Sequence, residues 1–245
     1  MFASVNGVIG TPPVQYSGLT VDTTPRFAPG TIIPMVDPWW GYGEFISARA
    51  AGAISACNLA VITPVFDSTL NSYRYDATAV PNTPNLGRPL CVAMKGMTSG
   101  DYGWFQMSGL VPVSCGASVA ADTSFGITAA GQGGAVAAGK QILNARVMVA
   151  AAATVVKAGA NGVSGSTVIQ VPNSDGWFVG AYLSGTGVGA AAIISSIDPS
   201  GRYVTATVAN SAAIVGTSVT ATYNNATIFY NVAHINRPFA QGAIT

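Results

Sequence analysis

Residues 203–232, YVTATVANSAAIVGTSVTATYNNATIFYNV, decide the fold class. Three runs stand out in this stretch: Tyr203–Val208, Val219–Tyr223 and Thr227–Val232. Each is rich in Val, Thr, Ile and aromatic side chains, which fit a pleated, half-buried strand better than a helix. Asn, Ser and Gly punctuate the gaps between them, as turns require. The first two runs are near-copies, VTATV beginning at Val204 and VTATY beginning at Val219. Two strands of one small sheet would explain the echo, and so would chance in a segment this rich in Val, Thr and Ala.

The same texture recurs upstream. Thr31–Ile33, Ala60–Ile62, Leu90–Ala93, Trp104–Met107, Val111–Val113 and Val168–Val171 read as further short strands bounded by Gly, Pro, Asn or Ser. Helix signals are scarce, because the chain has only three Lys and one Glu, and Gly or Pro breaks nearly every helical window. The expectation is an all-β protein, a sandwich or a barrel-like body. Gly43–Ala56 is the exception: its small residues with Glu44 and Arg49 suit either a single helix or a strand pair.

Composition narrows the function. Among 245 residues, ten are Lys or Arg and nine are Asp or Glu, so 8% are charged and the formal net charge is +1. A typical soluble chain is roughly 25% charged. Nothing here supplies the field that steers nucleic acid or anionic lipid. With 49% hydrophobic residues there is ample material for a core. A surface so poor in charge is expected to be covered by something else.

Membrane insertion is not the expected cover. The most apolar local run, Val147–Val156, is flanked by Arg146 and Lys157 and falls well short of the roughly 20 residues a spanning helix needs. Met1–Gly10 lacks the basic start of a signal peptide, and a transmembrane barrel would need export. Cys57, Cys91 and Cys115 are an odd number without CxxC spacing. They read as free, buried thiols of a protein folded in a reducing cytoplasm.

Three textures divide the chain. Residues 1–44 hold six of the 14 prolines and two of the four tryptophans, and read as an extended arm. Residues 45–157 with 226–245 form a first β domain that contains most of the charge. Residues 158–225, in which Asp175, Asp198 and Arg202 are the only charged side chains, read as an inserted β domain.

Catalytic and cofactor motifs fail on inspection. Gly134–Gln141 satisfies GxxxxGK but ends in Gln, where a phosphate loop needs a hydroxyl on magnesium. Gly185–Ala190 fits GxGxxA, yet no helix start follows and Asp198 comes too early to bind a ribose. His234 is the sole imidazole and no GxSxG elbow accompanies it. Asp37 with Glu44, or Asp67 with Asp76, could form carboxylate pairs, but arginines and turn contexts offer them structural work. A single His with three scattered Cys makes no zinc set. No catalytic residue, cofactor or metal is expected.

The densest feature is Asp37-Pro38-Trp39-Trp40-Gly41-Tyr42-Gly43-Glu44-Phe45. Four aromatics interleaved with glycine suit an interface anchor or a sugar platform. Docking against the body or a neighbouring subunit is the preferred expectation. Without neighbouring basic residues, stacking on nucleic acid is not.

At this motif the sequence resembles a known family. Residues 37–46 resemble a DPxWGxGEFI signature of virion structural proteins of tailed bacteriophages, in particular capsid decoration (cement) proteins. Ala50–Ala56, Gly87–Met94, Tyr102–Gly109, Ala138–Ala145 and Ala233–Phe239 extend the resemblance over about residues 31–157 and 226–243. Residues 158–225 depart from it, since a short link is expected there, and are similar to small repeats of phage tail and surface proteins.

The resemblance implies a protein of the outer capsid surface, assembled in the host cytoplasm, with the major capsid protein and itself as partners. Such a protein would be a trimer at threefold positions, in keeping with closed symmetry, and would clamp the shell without chemistry. Asp37, Pro38, Trp39, Trp40, Tyr42, Glu44, Phe45, Arg237 and Phe239 are its expected interface residues. The alternative is a tail or head-fibre protein that recognises host glycan through the inserted domain, with Trp177, Phe178 and Tyr182 as an exposed patch.

Overall fold

The computed structural model describes residues 3–4, 21–37, 39–68, 71–224 and 227–243. Most of the first twenty residues of the expected arm, and Pro38, lie outside the described residues. Among those described there are 17 strands and no helix, so the fold is all-β. The first ten strands are β1 (Ala3–Ser4), β2 (Ile32–Asp37), β3 (Gly41–Ala50), β4 (Leu59–Asp67), β5 (Ser72–Ala79), β6 (Leu90–Ala93), β7 (Tyr102–Cys115), β8 (Gly126–Ala129), β9 (Gln132–Gly134) and β10 (Ile142–Val149). A second group follows: β11 (Thr154–Gly162), β12 (Val168–Gln170), β13 (Tyr182–Gly185), β14 (Ile194–Ile197), β15 (Tyr203–Ala206) and β16 (Ile214–Thr222). The chain then returns in β17 (Phe229–Ala240), which lies between β7 and β10.

The first sheet closes on itself. β3 pairs with β7 along Glu44–Arg49, and also with β5, in parallel, at Arg49↔Asp76 and Ala50↔Ala77. β5 pairs with β4, β4 with β6, and β6 with β7. This circuit of five strands makes a narrow ring, and its residues show the alternation that a strand pleat imposes. Ile46, Ala48, Ala50, Ala60, Ala77, Cys91, Ala93 and Phe105 cluster in one core. The alternate residues Phe45, Leu59, Leu90, Val92 and Trp104 belong to a second, larger core. Alanine dominates the first because a five-stranded ring has little room inside.

The later strands form a separate sheet in the order β13-β16-β11-β12-β15-β14. Its two ends meet where Tyr182 bridges Ile193, with the Ile194 amide donating to the Ala181 carbonyl at 2.9 Å. Ile169, Leu183, Ile194, Val204, Val219 and Ala221 are buried in this second barrel. Its core is continuous with the larger core of the first. The VTAT echo falls on β15 and β16, which share the sheet but are separated by β11 and β12.

Two expectations need correction. Of the extended arm expected over residues 1–44, Ile32–Asp37 and the part from Gly41 are strands of the first sheet: β2 pairs with β3 from Ile32↔Ile46 to Asp37↔Gly41. Ile33 and Met35 are buried there, because they alternate with outward residues and match the period of a strand. The open segment at Gly43 resolves the same way, as strand β3 to Ala50. The second barrel begins at Thr154, ahead of the boundary expected at 158, and its last strand ends at Thr222.

Candidate interface and the junction between the barrels

The aromatic motif separates into an inward and an outward half. Trp40, in the turn between β2 and β3, is buried against the second barrel. Its ring lies 6.4 Å from Phe178 and 6.3 Å from Tyr223. Phe178 is the centre of this cluster, edge-on to Tyr223 at 5.0 Å and to Tyr230 at 5.1 Å. Such edge-to-face pairs are each worth about 0.5–1.5 kcal/mol beyond the area they bury. The polar tips are also satisfied: the Tyr223 hydroxyl donates to the Gly176 carbonyl at 2.8 Å, and Trp177 Nε1 donates to the Val155 carbonyl at 3.0 Å. Burial pushes the Tyr223 and Tyr230 phenols well above their ordinary range.

The expected glycan patch is therefore not a surface. Trp177 is 2% exposed and Phe178 is 0% exposed, because one closes the second barrel and the other fills the seam. Tyr182, partly exposed, sits at the bridge that closes that barrel.

Trp39 is half-exposed and lies against Gly176, with Lys157 Nζ 5.5 Å from its ring centroid. Lys157 also donates to Asn173 Oδ1 at 2.7 Å. Trp39 thus covers the junction from outside while Trp40 fills it from within. Phe45 is buried in the larger core, so of the expected interface residues Trp40 and Phe45 are internal.

Tyr42 and Glu44 are on the outward half. Tyr42 pairs in register with Val36, and Glu44 with Pro34. Ile32, Val36 and Tyr42 are exposed, and Glu44 meets Arg237 of β17 at 3.4 Å. The structure brings these two expected residues together across almost the full sequence length. Phe239, two residues beyond Arg237 on β17, pairs in register with Leu143 of the outer strand β10, and both are exposed. Asp37 contributes backbone to β2 opposite Gly41.

The acidic pair weighed for catalysis is held by arginines. Asp67 and Asp76 both pair with Arg74, and Asp76 also meets Arg49 at 3.7 Å across the parallel seam. Hydrogen bonds that the Arg74 guanidinium donates to Asp76 and Asp67 hold it above its ordinary pKa. Lys140 donates to Asn82 at 2.8 Å in a turn, not to a phosphate-binding loop. Gly185–Ala190 leads from β13 toward β14, which it allows to fold back. His234 is exposed on β17, opposite Leu110 and Arg146. Among the described residues, no three of His, Cys, Asp or Glu gather as a metal site. The three cysteines are buried and none is in a disulfide among the described residues, and desolvation raises the thiol pKa of Cys91 and Cys115.

Sequence reasoning missed the outward row on β2. The signal was the alternation Ile32-Pro34-Val36 against Ile33-Met35, hidden by reading the segment as an arm. It also missed the exposed pair Phe66 and Tyr73 on the β4–β5 hairpin, 5.4 Å apart, and Val163 and Val215, each 74% exposed on the second barrel. No family model, curated protein or solved structure matches the chain.

Proposed function

We propose that this chain is a virion structural protein: a capsid decoration (cement) protein that binds the outer surface of a tailed-bacteriophage head as a trimer and stabilises the shell. The observation that carries the reading is the outward row Ile32, Val36 and Tyr42, bounded by the Glu44–Arg237 pair, with Tyr42 and Glu44 inside the motif that resembles the cement family. Apolar groups on a body with so few charges are suited to burial against a protein shell, at about 25 cal/mol per Å² of apolar area before ordering costs. Two closed barrels with a continuous core make a stiff clamp, which loses little entropy on docking. The reading assigns no chemistry to the chain. A host-glycan role for the second barrel draws no support from Trp177 and Phe178, which are core residues.

The test is co-sedimentation with undecorated capsids. Val36→Lys and Tyr42→Lys place charge on the row without touching the core. The expected result is normal folding with capsid binding weakened at least tenfold, against unchanged binding for a control at exposed Val163. Equal binding by all variants would remove the row from the interface.

A further inference from the structure

The cleft between the two barrels has features of a ligand site. It has a volume of about 550 Å³ and is lined by Ile54, Ala56, Lys95, Gly96 and Met97 of the first barrel and by Val179 of the second, among others. Lys95 and Asp101 are the titratable groups on its wall. Asp101 is committed, its Oδ2 accepting from the Thr98 amide at 2.7 Å and the Thr98 hydroxyl at 2.8 Å. Lys95 is half-buried, and among the described residues it has no hydrogen bond or ion pair. A half-buried ammonium without a counter-charge loses hydration and gains nothing in return, and desolvation accordingly lowers its pKa.

The backbone beside it is also open. Ile54 and Met97 exchange both amide bonds, at 3.0 and 2.8 Å, and so hold the two loops together. The flanking amides of Ala56 and Gly96 donate to no protein acceptor among the described residues. A Cβ on Gly96 would make ordinary van der Waals contact with Ala56 N and the Ile54 carbonyl, each at 3.9 Å, so the loops lie side by side with room for a methyl group. An ammonium and nearby unpaired amides beside the accessible apolar groups of Ala53, Ala56 and Val179 form a site with a defined preference: a negative head on a short carbon chain.

We propose that this cleft binds a carboxylate-bearing ligand, its carboxylate on Lys95 and its carbon chain on Ala53, Ala56 and Val179. The inference is independent of the cement reading. A free dicarboxylic acid and an acidic side chain of a partner polypeptide carry the same chemistry.

The experiment is a titration of the full-length protein, followed by amide NMR shifts, with sodium glutarate and separately with N-acetyl-Ala-Glu-Ala-amide. Saturable shifts at Ala56 and Gly96 are expected, weakened at least tenfold in Lys95→Met and retained in Lys95→Arg. Glutarate binding as tightly as the peptide identifies a free acid as the ligand; tighter peptide binding identifies a polypeptide side chain. No saturable shift with either probe, or equal affinity in Lys95→Met, overturns the proposal.

Discussion

Trp40 meets Phe178 edge-on, with ring centroids 6.4 Å apart and planes inclined at 64°. One ring comes from the turn before β3 of the first barrel, and the other from the loop before β13 of the second. The contact explains why the tryptophan-rich motif behaves as two halves. Its inner residue packs the two barrels against each other, and Tyr42 on its outer side is exposed.

Trp40→Ala should therefore be costly. It removes a buried ring from a packed aromatic cluster, for which large-to-small substitutions lose about 3–5 kcal/mol. Equilibrium denaturant unfolding measures this directly. A loss below about 1 kcal/mol would mean that the junction repacks freely and does not hold the barrels together.

Gly180 is the second lock on the junction. It has φ +105°, and a Cβ there would overlap the Tyr230 hydroxyl. Gly180→Ala pays both a left-handed conformational cost and a clash, and should lose about 2 kcal/mol or more of stability. Gly165, at φ +79° with nothing within 4 Å of its Cβ position, pays the conformational cost alone. Its alanine variant should lose only about 1 kcal/mol. Equal thermal midpoints for the two variants would contradict the close approach of Gly180 to Tyr230.

Acid sensitivity should be traceable to Asp101. The Thr98 amide and then the Thr98 hydroxyl hold its carboxyl below the usual carboxylate pKa of 3.8. The folded state therefore binds fewer protons than the unfolded chain near that value. The resulting stabilisation is present above the unfolded pKa and is lost as pH falls through the folded one. Asp101→Asn should lower the thermal midpoint at pH 7 and flatten its fall below about pH 4, so that the two proteins converge in acid. An unchanged acid slope would show that Thr98 does not stabilise the ionised form.

Strand character was legible where β-branched and aromatic residues clustered: Leu90–Ala93 coincides with β6, while Tyr203–Val208 runs two residues past β15 and Val219–Tyr223 covers the end of β16 and one residue more. It was not legible in β5, SYRYDATA, or β11, TVVKAGANG. The first contains charges that pair at the ring seam, and the second has small residues that any element tolerates. Trp104–Met107 and Val111–Val113 read as two strands, but Gly109, at φ +97°, lets β7 run through both without clashing with the Tyr42 carbonyl. The aromatic motif was visible as important. Which of its rings face inward depends on a partner, Phe178, far away in sequence, and local pattern says nothing of that distance.

The central claim is that the outward row of this two-barrel body is a capsid-binding surface. The most direct test is cryo-electron microscopy of undecorated phage capsids mixed with the purified protein. The account predicts regular density at threefold or quasi-threefold positions, with Ile32, Val36 and Tyr42 facing the major capsid protein. Bare shells, or protein found only on tails, would contradict it.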